Sequence, residues 1–443
     1  MTMRQLQPVS DALRAIDLRS LPPRHVGRLV AHDAMLLEIE GFPAPMLTPV
    51  RINAADGSLI AGEIVGFRGN RSLAIPLTGS APFAVGARVV IDGEAGRVRC
   101  GYGLLGRVID ALGRPLDGEP APALSDSWPL NGINDNPLNK ARVTRPFDCG
   151  VRAINALLTL GEGQRVAIIA GSGVGKSVLM GQMLAGADCD IIVAGLIGER
   201  AREVSDFVET KLPPSLRKRA VVVATAADKA PLLRLKAAMR ATAIAEYFRA
   251  QGKKVLLLLD SLTRIAHAQR EIGLALGEPP AMKGYPPSAL GLIPQLVERA
   301  GGNRQSGGSI TALYTVLADG GDMDDPVVDA ARAIVDGHIL LSRNLAESGV
   351  YPAIDVSRSL SRTMAETADE TQRNAAMRFR RLWSTYEENR DLILMGAYAP
   401  GNDVLLDEAV MRQSELRAFL MQDAHEQIGF CESRQALIEG FGA

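Results

Sequence analysis

Aromatic residues make up only 4% of this 443-residue chain, too few for the stacking platforms on which single-stranded nucleic acids are held. Charge of one sign is also lacking. Lys and Arg number 49 against 50 Asp and Glu, a formal net charge of -1, so bulk attraction gives no case for a nucleic-acid or anionic-membrane partner. The four cysteines, Cys100, Cys149, Cys189 and Cys431, stand far apart with no CxxC spacing, which removes the usual zinc and disulfide signatures. They read as reduced, mostly buried thiols. No apolar run approaches the ~20 residues that span a bilayer, and the N-terminus has no signal-peptide core. A cytoplasmic protein is expected.

What is present is a soluble composition, 47% hydrophobic and 22% charged, on a chain too long for one ordinary core and suited to two or three domains. Within it, Val166-Ala-Ile-Ile-Ala-Gly-Ser-Gly-Val-Gly-Lys176-Ser177 is an apolar strand running into a glycine-rich turn and Gly-Lys-Ser. Such a turn aims successive backbone N–H groups inward at the positive end of the following helix, where phosphates sit. The loop residues Gly171, Ser172, Gly173, Val174, Gly175, Lys176, Ser177 and Val178 are therefore candidates for binding ATP. Lys176 would reach the β- and γ-phosphates, and the Ser177 hydroxyl would ligate Mg²⁺. Ala170 stands where the usual pattern begins with Gly, a variation the loop is expected to tolerate.

A second half of the site is expected downstream. Lys254-Val-Leu-Leu-Leu-Leu-Asp260 is an apolar run ending in a carboxylate, as in a buried parallel strand. Asp260 is placed on the Mg²⁺ side opposite Ser177. Between the two halves, Ile191 to Gly198 delivers Glu199 and Arg200 to the same sheet edge, where open α/β sheets bind their ligands. Glu199 is the candidate for polarising the attacking water.

Three textures divide the chain. Short apolar stretches separated by Gly, Asp and Asn turns predict a small β-barrel over 19–99. Alternating buried strands and helical segments predict a mostly parallel α/β sheet over 100–365. Few strand signals and many Glu, Arg, Leu and Ala residues predict a helical domain over 366–443. Ahead of the barrel, Leu6, Val9, Leu13 and Ile16 recur at three-four spacing, which marks residues 1–18 as an amphipathic segment.

Several stretches together resemble the flagellar type III protein-export ATPases, relatives of the catalytic subunit of F-type rotary ATPases. They are Gly103 to Gly118, Gly198-Glu-Arg200, Gly277 to Ser288, Leu296 to Gly301, Asp336-Gly-His338, Tyr351 to Asp355 and Ser359-Leu-Ser-Arg362. The resemblance covers essentially the whole chain and implies a RecA-like P-loop core with a parallel-rich sheet, an N-terminal β-barrel and a C-terminal helical domain. It implies Lys176 and Ser177 at phosphate and magnesium, Glu199 as catalytic carboxylate, Arg200 and Arg264 near the phosphates, and Asp260 as the magnesium-side acid. Tyr351 would stack on adenine. Arg362, which the Ser-x-Ser-Arg frame selects over Arg358, matches an arginine finger inserted into the neighbouring subunit's site, and a homohexamer follows. Non-catalytic rotary subunits carry Gln where this chain has Glu199, so hydrolysis is implied rather than mere binding.

The same resemblance implies partners. Gly277 to Pro287 matches the loop that faces the pore and a central stalk protein. Leu6 to Ile16 matches the region that binds a stator-like regulatory protein. An export gate at the cytoplasmic face of the inner membrane, exported substrates and their chaperones complete the set, with no nucleic acid. Departures are Ala201 after Gly-Glu-Arg and Ser357-Arg358 where relatives carry an acidic and a small residue; beyond Asn402 the match weakens. The leading expectation is Mg-dependent ATP hydrolysis that assists flagellar protein export. The alternative is the ATPase of a virulence-type (injectisome) secretion system, and a rotary ATP synthase subunit ranks lower.

Overall fold

The computed structural model describes residues 26–33, 35–78, 81–93, 96–133, 136–318 and 322–442. The stripe Leu6, Val9, Leu13 and Ile16 lies outside the described residues. The chain divides into two compact units, Met1–Ala95 and Gly96–Ala443.

The first unit contains a closed barrel of six antiparallel strands, β1 (Val26–Asp33), β2 (Leu36–Glu40), β3 (Pro49–Asn53), β4 (Leu59–Arg68), β5 (Arg71–Pro76) and β6 (Arg88–Ile91), in the order β1-β2-β5-β4-β3-β6. Alternation sets its inside. On β3, Val50 and Ile52 are buried while Arg51 and Asn53 are exposed, the period-two pattern of a strand with one apolar face. These side chains join Leu29, Leu37, Ile39, Ile64 and Val89 in one core, and closure leaves no sheet edge to pair with other chains.

In the second unit, β7 (Arg97–Cys100) pairs with β9 (Asp126–Pro129), and the remaining strands build one large sheet. These are β8 (Val108–Ile109), β10 (Arg165–Ala170), β11 (Ile191–Glu199), β12 (Ala220–Ala226), β13 (Lys254–Asp260), β14 (Gly301–Gly302), β15 (Ser309–Leu317), β16 (Gly337–Leu340) and β17 (Leu360–Ser361). Their order is β17-β16-β10-β15-β13-β11-β12-β8, with β14 beside β15. All pairings from β16 to β8 along that path are parallel. The central strands are apolar along their length because helices cover both faces and either side of the pleat must be dry. Every residue of β11 is buried.

The Gly103 to Gly118 stretch proves to be a folding element. Asp110 accepts from the backbone N–H groups of Leu112 and Arg114, both at 2.8 Å, closing the turn after β8. Asp117 accepts from Arg107 at 2.8 and 2.9 Å and from Val108 N at 3.0 Å. That guanidinium holds the Asp117 carboxyl well below the usual carboxylate range.

The C-terminal part is helical: Glu370–Leu394, Val404–Met411, Gln413–Leu420 and Phe430–Phe441. Asp369 caps the first of these through Gln372 N. Phe379 meets Phe441 edge-on at 4.8 Å between ring centroids, and both belong to the same buried cluster as Ile154 and Leu184 from the sheet-bearing part of this unit. Of the cysteines, Cys100, Cys149 and Cys189 are buried and Cys431 is exposed, all four as free thiols. Among the described residues, no helix is long and apolar enough to cross a membrane.

Candidate active site

The loop between β10 and the helix Lys176–Gly186 takes the form its glycines allow. Gly173 and Gly175 have φ of +77° and +90°, a left-handed backbone that side chains resist. Gly175 opens the helix without a side-chain cap, so the N–H groups of the first turn are left for a ligand. Ala170 needs no such freedom. It is the last residue of β10, and its carbonyl accepts from Ala318 N at 3.0 Å.

Strand order decides what faces the loop. β10 and β13 are both neighbours of β15, which puts Lys176 and Asp260 within one strand's width of each other. Lys176 Nζ donates to Asp260 Oδ1 at 2.5 Å. Thr315 of β15 donates its hydroxyl to the same oxygen at 2.6 Å. The peptide between Asp260 and Ser261 is cis, and Ser261 caps the helix Leu262–Ala275 by accepting from Arg264 N.

Glu199 reaches the cleft through a bulge. Gly198 has φ +71°, and the β11–β12 register slips between Ile197 and Glu199, so the carboxylate is re-aimed at the strand end. Glu199 is 8% exposed, and its Oε1 has no hydrogen-bond partner. Burial, and then the charge of Asp260, push its carboxyl up to about 7. Glu203, one helical turn on, shares a hydrogen bond with Glu199 and is held low by it. Arg264 Nε is also buried without a partner. Orphaned buried polar atoms are rare in folded proteins, and these two belong to residues that line the same cleft.

One cavity of about 480 Å³ collects most of the expected residues. Gly171, Ser172, Gly173, Gly175, Lys176, Ser177 and Val178 line it from the loop. Glu199, Arg200, Asp260 and Arg264 line it from the other strand ends. Arg200 stands mostly in solvent, its side chain 81% exposed and 3.8 Å from Glu203. Val174 is buried beneath the loop.

Besides Val174, two expected residues lie apart from that lining. Tyr351, 45% exposed, places its ring 3.4 Å from where a Cβ on Gly175 would stand. Arg362 is exposed just beyond β17. The serines before it serve as anchors: Ser359 Oγ accepts from Leu340 N, and Ser361 Oγ donates to Thr159 O. The motif thereby holds the arginine outward.

Sequence reasoning passed over Glu203 and Thr315. The first was findable as an acidic residue in the first turn of the helix that follows β11, where a carboxylate suits the positive helix end. The second is one of two threonines, with Thr311, in a mostly apolar run, Ile310 to Leu317.

Residues fit a magnesium–nucleotide. Among the described residues no group of three or more His, Cys, Asp or Glu forms an all-protein metal cage. Mg²⁺ with a nucleotide keeps waters and phosphate oxygens and takes few protein ligands, which suits one hydroxyl at Ser177 and the carboxylates of Asp260 and Glu203 around the cleft.

A glycine cradle, a lysine and two acids at neighbouring strand ends define the class, a P-loop ATPase. Residues 150–361 match the model of the ATP synthase alpha/beta family, nucleotide-binding domain, and residues 368–439 match the type III secretion EscN ATPase C-terminal domain. The flagellum-specific ATP synthase of Pseudomonas aeruginosa is 49% identical over 98% of this chain and 96% of its own length. The type 3 secretion system ATPase of Pseudomonas syringae pv. syringae is 44% identical over 94% of each chain. The solved structure of the assembled ATPase EscN from enteropathogenic E. coli covers 93% of this chain and 99% of its own, at TM-score 0.88 and 39% identity. The chain belongs to the family of flagellum-specific ATP synthases and type III secretion ATPases. It is an ATPase of type III protein export, and the flagellar reading fits its relatives.

Proposed function

We propose that this chain hydrolyses Mg-ATP as a homohexamer docked at the cytoplasmic face of a flagellar export apparatus. The observation that carries the reading is Glu199, a buried acid with an open oxygen in the cleft that also holds Lys176 and Asp260. In this reading Glu199 orients the attacking water and takes its proton, and the N–H groups of Gly171 to Ser177 with Lys176 hold the phosphates. Arg200 and Arg264 face the transferred group. Ser177 and Asp260, with Glu203, would hold Mg²⁺, whose chemistry is to neutralise phosphate charge. Tyr351, beside Gly175, stacks on the base.

Arg362, exposed and absent from the lining of its own cleft, acts on the neighbour's, so each site is completed by the next subunit. Such fingers contribute about 10³ to 10⁵ in rate. The test mixes Arg362→Ala with Lys176→Ala, each inactive alone. Recovery of hydrolysis in mixed rings supports completion in trans; two inactive proteins that stay inactive when mixed at ring-forming concentration overturn it.

The stalk assignment for 277–287 gains support from EscN, a relative solved in complex with its central stalk EscO. Lys283, however, pairs with Asp322 at 2.5 Å, so the exposed Met282 is the cleaner probe of stalk binding. The regulatory partner at residues 1–18, the export gate, the exported substrates and their chaperones belong to the same proposal, as does the division at 18, 99 and 365. Flagellar rather than injectisome service is preferred on the 49% against 44% identities. Swimming and flagellin secretion restored by the wild type but not by Glu199→Gln would establish it; motility independent of the gene would move it to an injectisome.

A further inference from the structure

We propose that Gln422 is a positioning residue for the base-stacking Tyr351, a reading that rests on the role given to Tyr351 above. The two are 71 residues apart and meet in the fold: Gln422 N donates to Tyr351 O at 2.9 Å. Where that N–H stands is decided by the glutamine's own side chain, which is 7% exposed at residue level and bonded at both ends. Its Oε1 accepts from Arg152 N at 2.8 Å, and its Nε2 donates to Gly150 O at 2.8 Å and Glu426 O at 3.0 Å.

The same short segment also grips the phosphate-binding helix. Gln182, 3% exposed on Lys176–Gly186, donates to Asp423 O at 2.7 Å. Beneath it Gly186 and Gly150 touch backbone to backbone, since a Cβ on Gly186 would stand 2.5 Å from Gly150 Cα. Arg152 closes the preceding helix by donating to the carbonyls of Ala418, Phe419 and Met421. Residues 421–423 thus touch the loop that carries the aromatic ring and the helix that carries the phosphate-binding lysine. They set the separation of ring and phosphate loop, and with it how far from the phosphates a base can lie flat.

The experiment measures ATP hydrolysis by assembled full-length protein for wild type, Gln422→Ala, Tyr351→Ala and the double variant, with tripolyphosphate as a base-free competitor. Tyr351→Ala is expected to raise KM by about 5- to 150-fold, the range that base–aromatic stacking supplies. Gln422→Ala should raise KM by about 3- to 10-fold through lost hydrogen bonds, with kcat changed less than about twofold on the same scale. Tripolyphosphate inhibition should not move. In the Tyr351→Ala background, Gln422→Ala should add nothing, because the ring it positions is gone.

Full additivity of the two KM effects, or equal weakening of ATP and tripolyphosphate, overturns the inference while leaving Tyr351 as the stacking residue. An unmoved KM in Tyr351→Ala overturns the stacking reading itself and the inference with it. Should Gln422→Ala not fold, Gln422→Glu keeps the acceptor for Arg152 N and removes the donor to Gly150 O. It is expected to show the same KM-only effect, and an unchanged KM in a folded Gln422→Glu overturns the proposal.

Discussion

Replacing Asp260 by Asn should tighten nucleotide binding in the absence of magnesium while abolishing magnesium-dependent hydrolysis. Lys176 is held by Asp260 at 2.5 Å, with side-chain exposures of only 13% and 7%. A lysine must leave that partner before it can serve a phosphate. Opposite charges about 4 Å apart attract by about 1 kcal/mol even at the dielectric of water, in addition to the hydrogen bond itself. Asparagine keeps an acceptor for Lys176 and for the Thr315 hydroxyl but removes the charge, so leaving costs about 1 to 1.5 kcal/mol less. At about 1.4 kcal/mol per decade this is roughly five- to tenfold tighter binding. Removing a carboxylate that repels the triphosphate adds in the same direction. Titration of a fluorescent ATP analogue into wild type and Asp260→Asn, once in EDTA and once in excess magnesium, measures it. The magnesium-dependent gain in affinity should shrink as the EDTA affinity rises. Weaker binding by Asp260→Asn in EDTA would refute the reasoning, since it would mean that Lys176 is not restrained by Asp260.

Three further outcomes follow from particular contacts. Glu199 has a carboxyl raised to about 7 from an ordinary 4.5, chiefly by burial, so the folded protein binds its proton more tightly than the unfolded chain does. Its neutral form costs nothing in acid, and the penalty grows as pH rises from 4.5 to 7 and is complete above. Glu199→Gln should accordingly raise the melting temperature of the nucleotide-free protein more at pH 8 than at pH 5; an equal shift at both would contradict it. Thr315→Val removes a fully buried donor to Asp260 and should cost about 1.5 to 3 kcal/mol in chemical denaturation, with kcat lowered; unaltered denaturation and kcat would count against the bond. Gly186→Ala would drive a methyl to 2.5 Å from Gly150 Cα, backbone that cannot swing aside, for a loss of about 1 to 3 kcal/mol. A melting curve that superimposes on wild type would show that the contact can relax.

Much of this was legible in the chain. Val166 to Ser177 specifies its own turn, because Gly173 and Gly175 adopt left-handed dihedrals that depend on the residues themselves. Val255 to Leu259 announces a strand covered on both faces, and the carboxylate after it comes at the strand's end wherever that strand goes. The variation at Ala170 was readable as tolerable, and the structure supplies the cause, an ordinary strand position bonded to Ala318. The Gly103 to Gly118 stretch was read as a family mark, and what its aspartates do could not be told without their partners.

What only the tertiary structure decided is adjacency. Nothing local states that β15 lies between β10 and β13, yet that order alone brings Thr315, 55 residues away, onto Asp260. Nor could periodicity say that Tyr351 rests against Gly175, or that Gln422 bonds its carbonyl. The physical reason is the range of the interactions. Turn dihedrals, strand alternation and helix starts are settled within a few residues by sterics and hydrogen bonding, and the sequence determined them. Strand order, and the pairing of polar groups distant in the chain, is chosen by burial of the whole apolar surface at once, which only the folded molecule resolves.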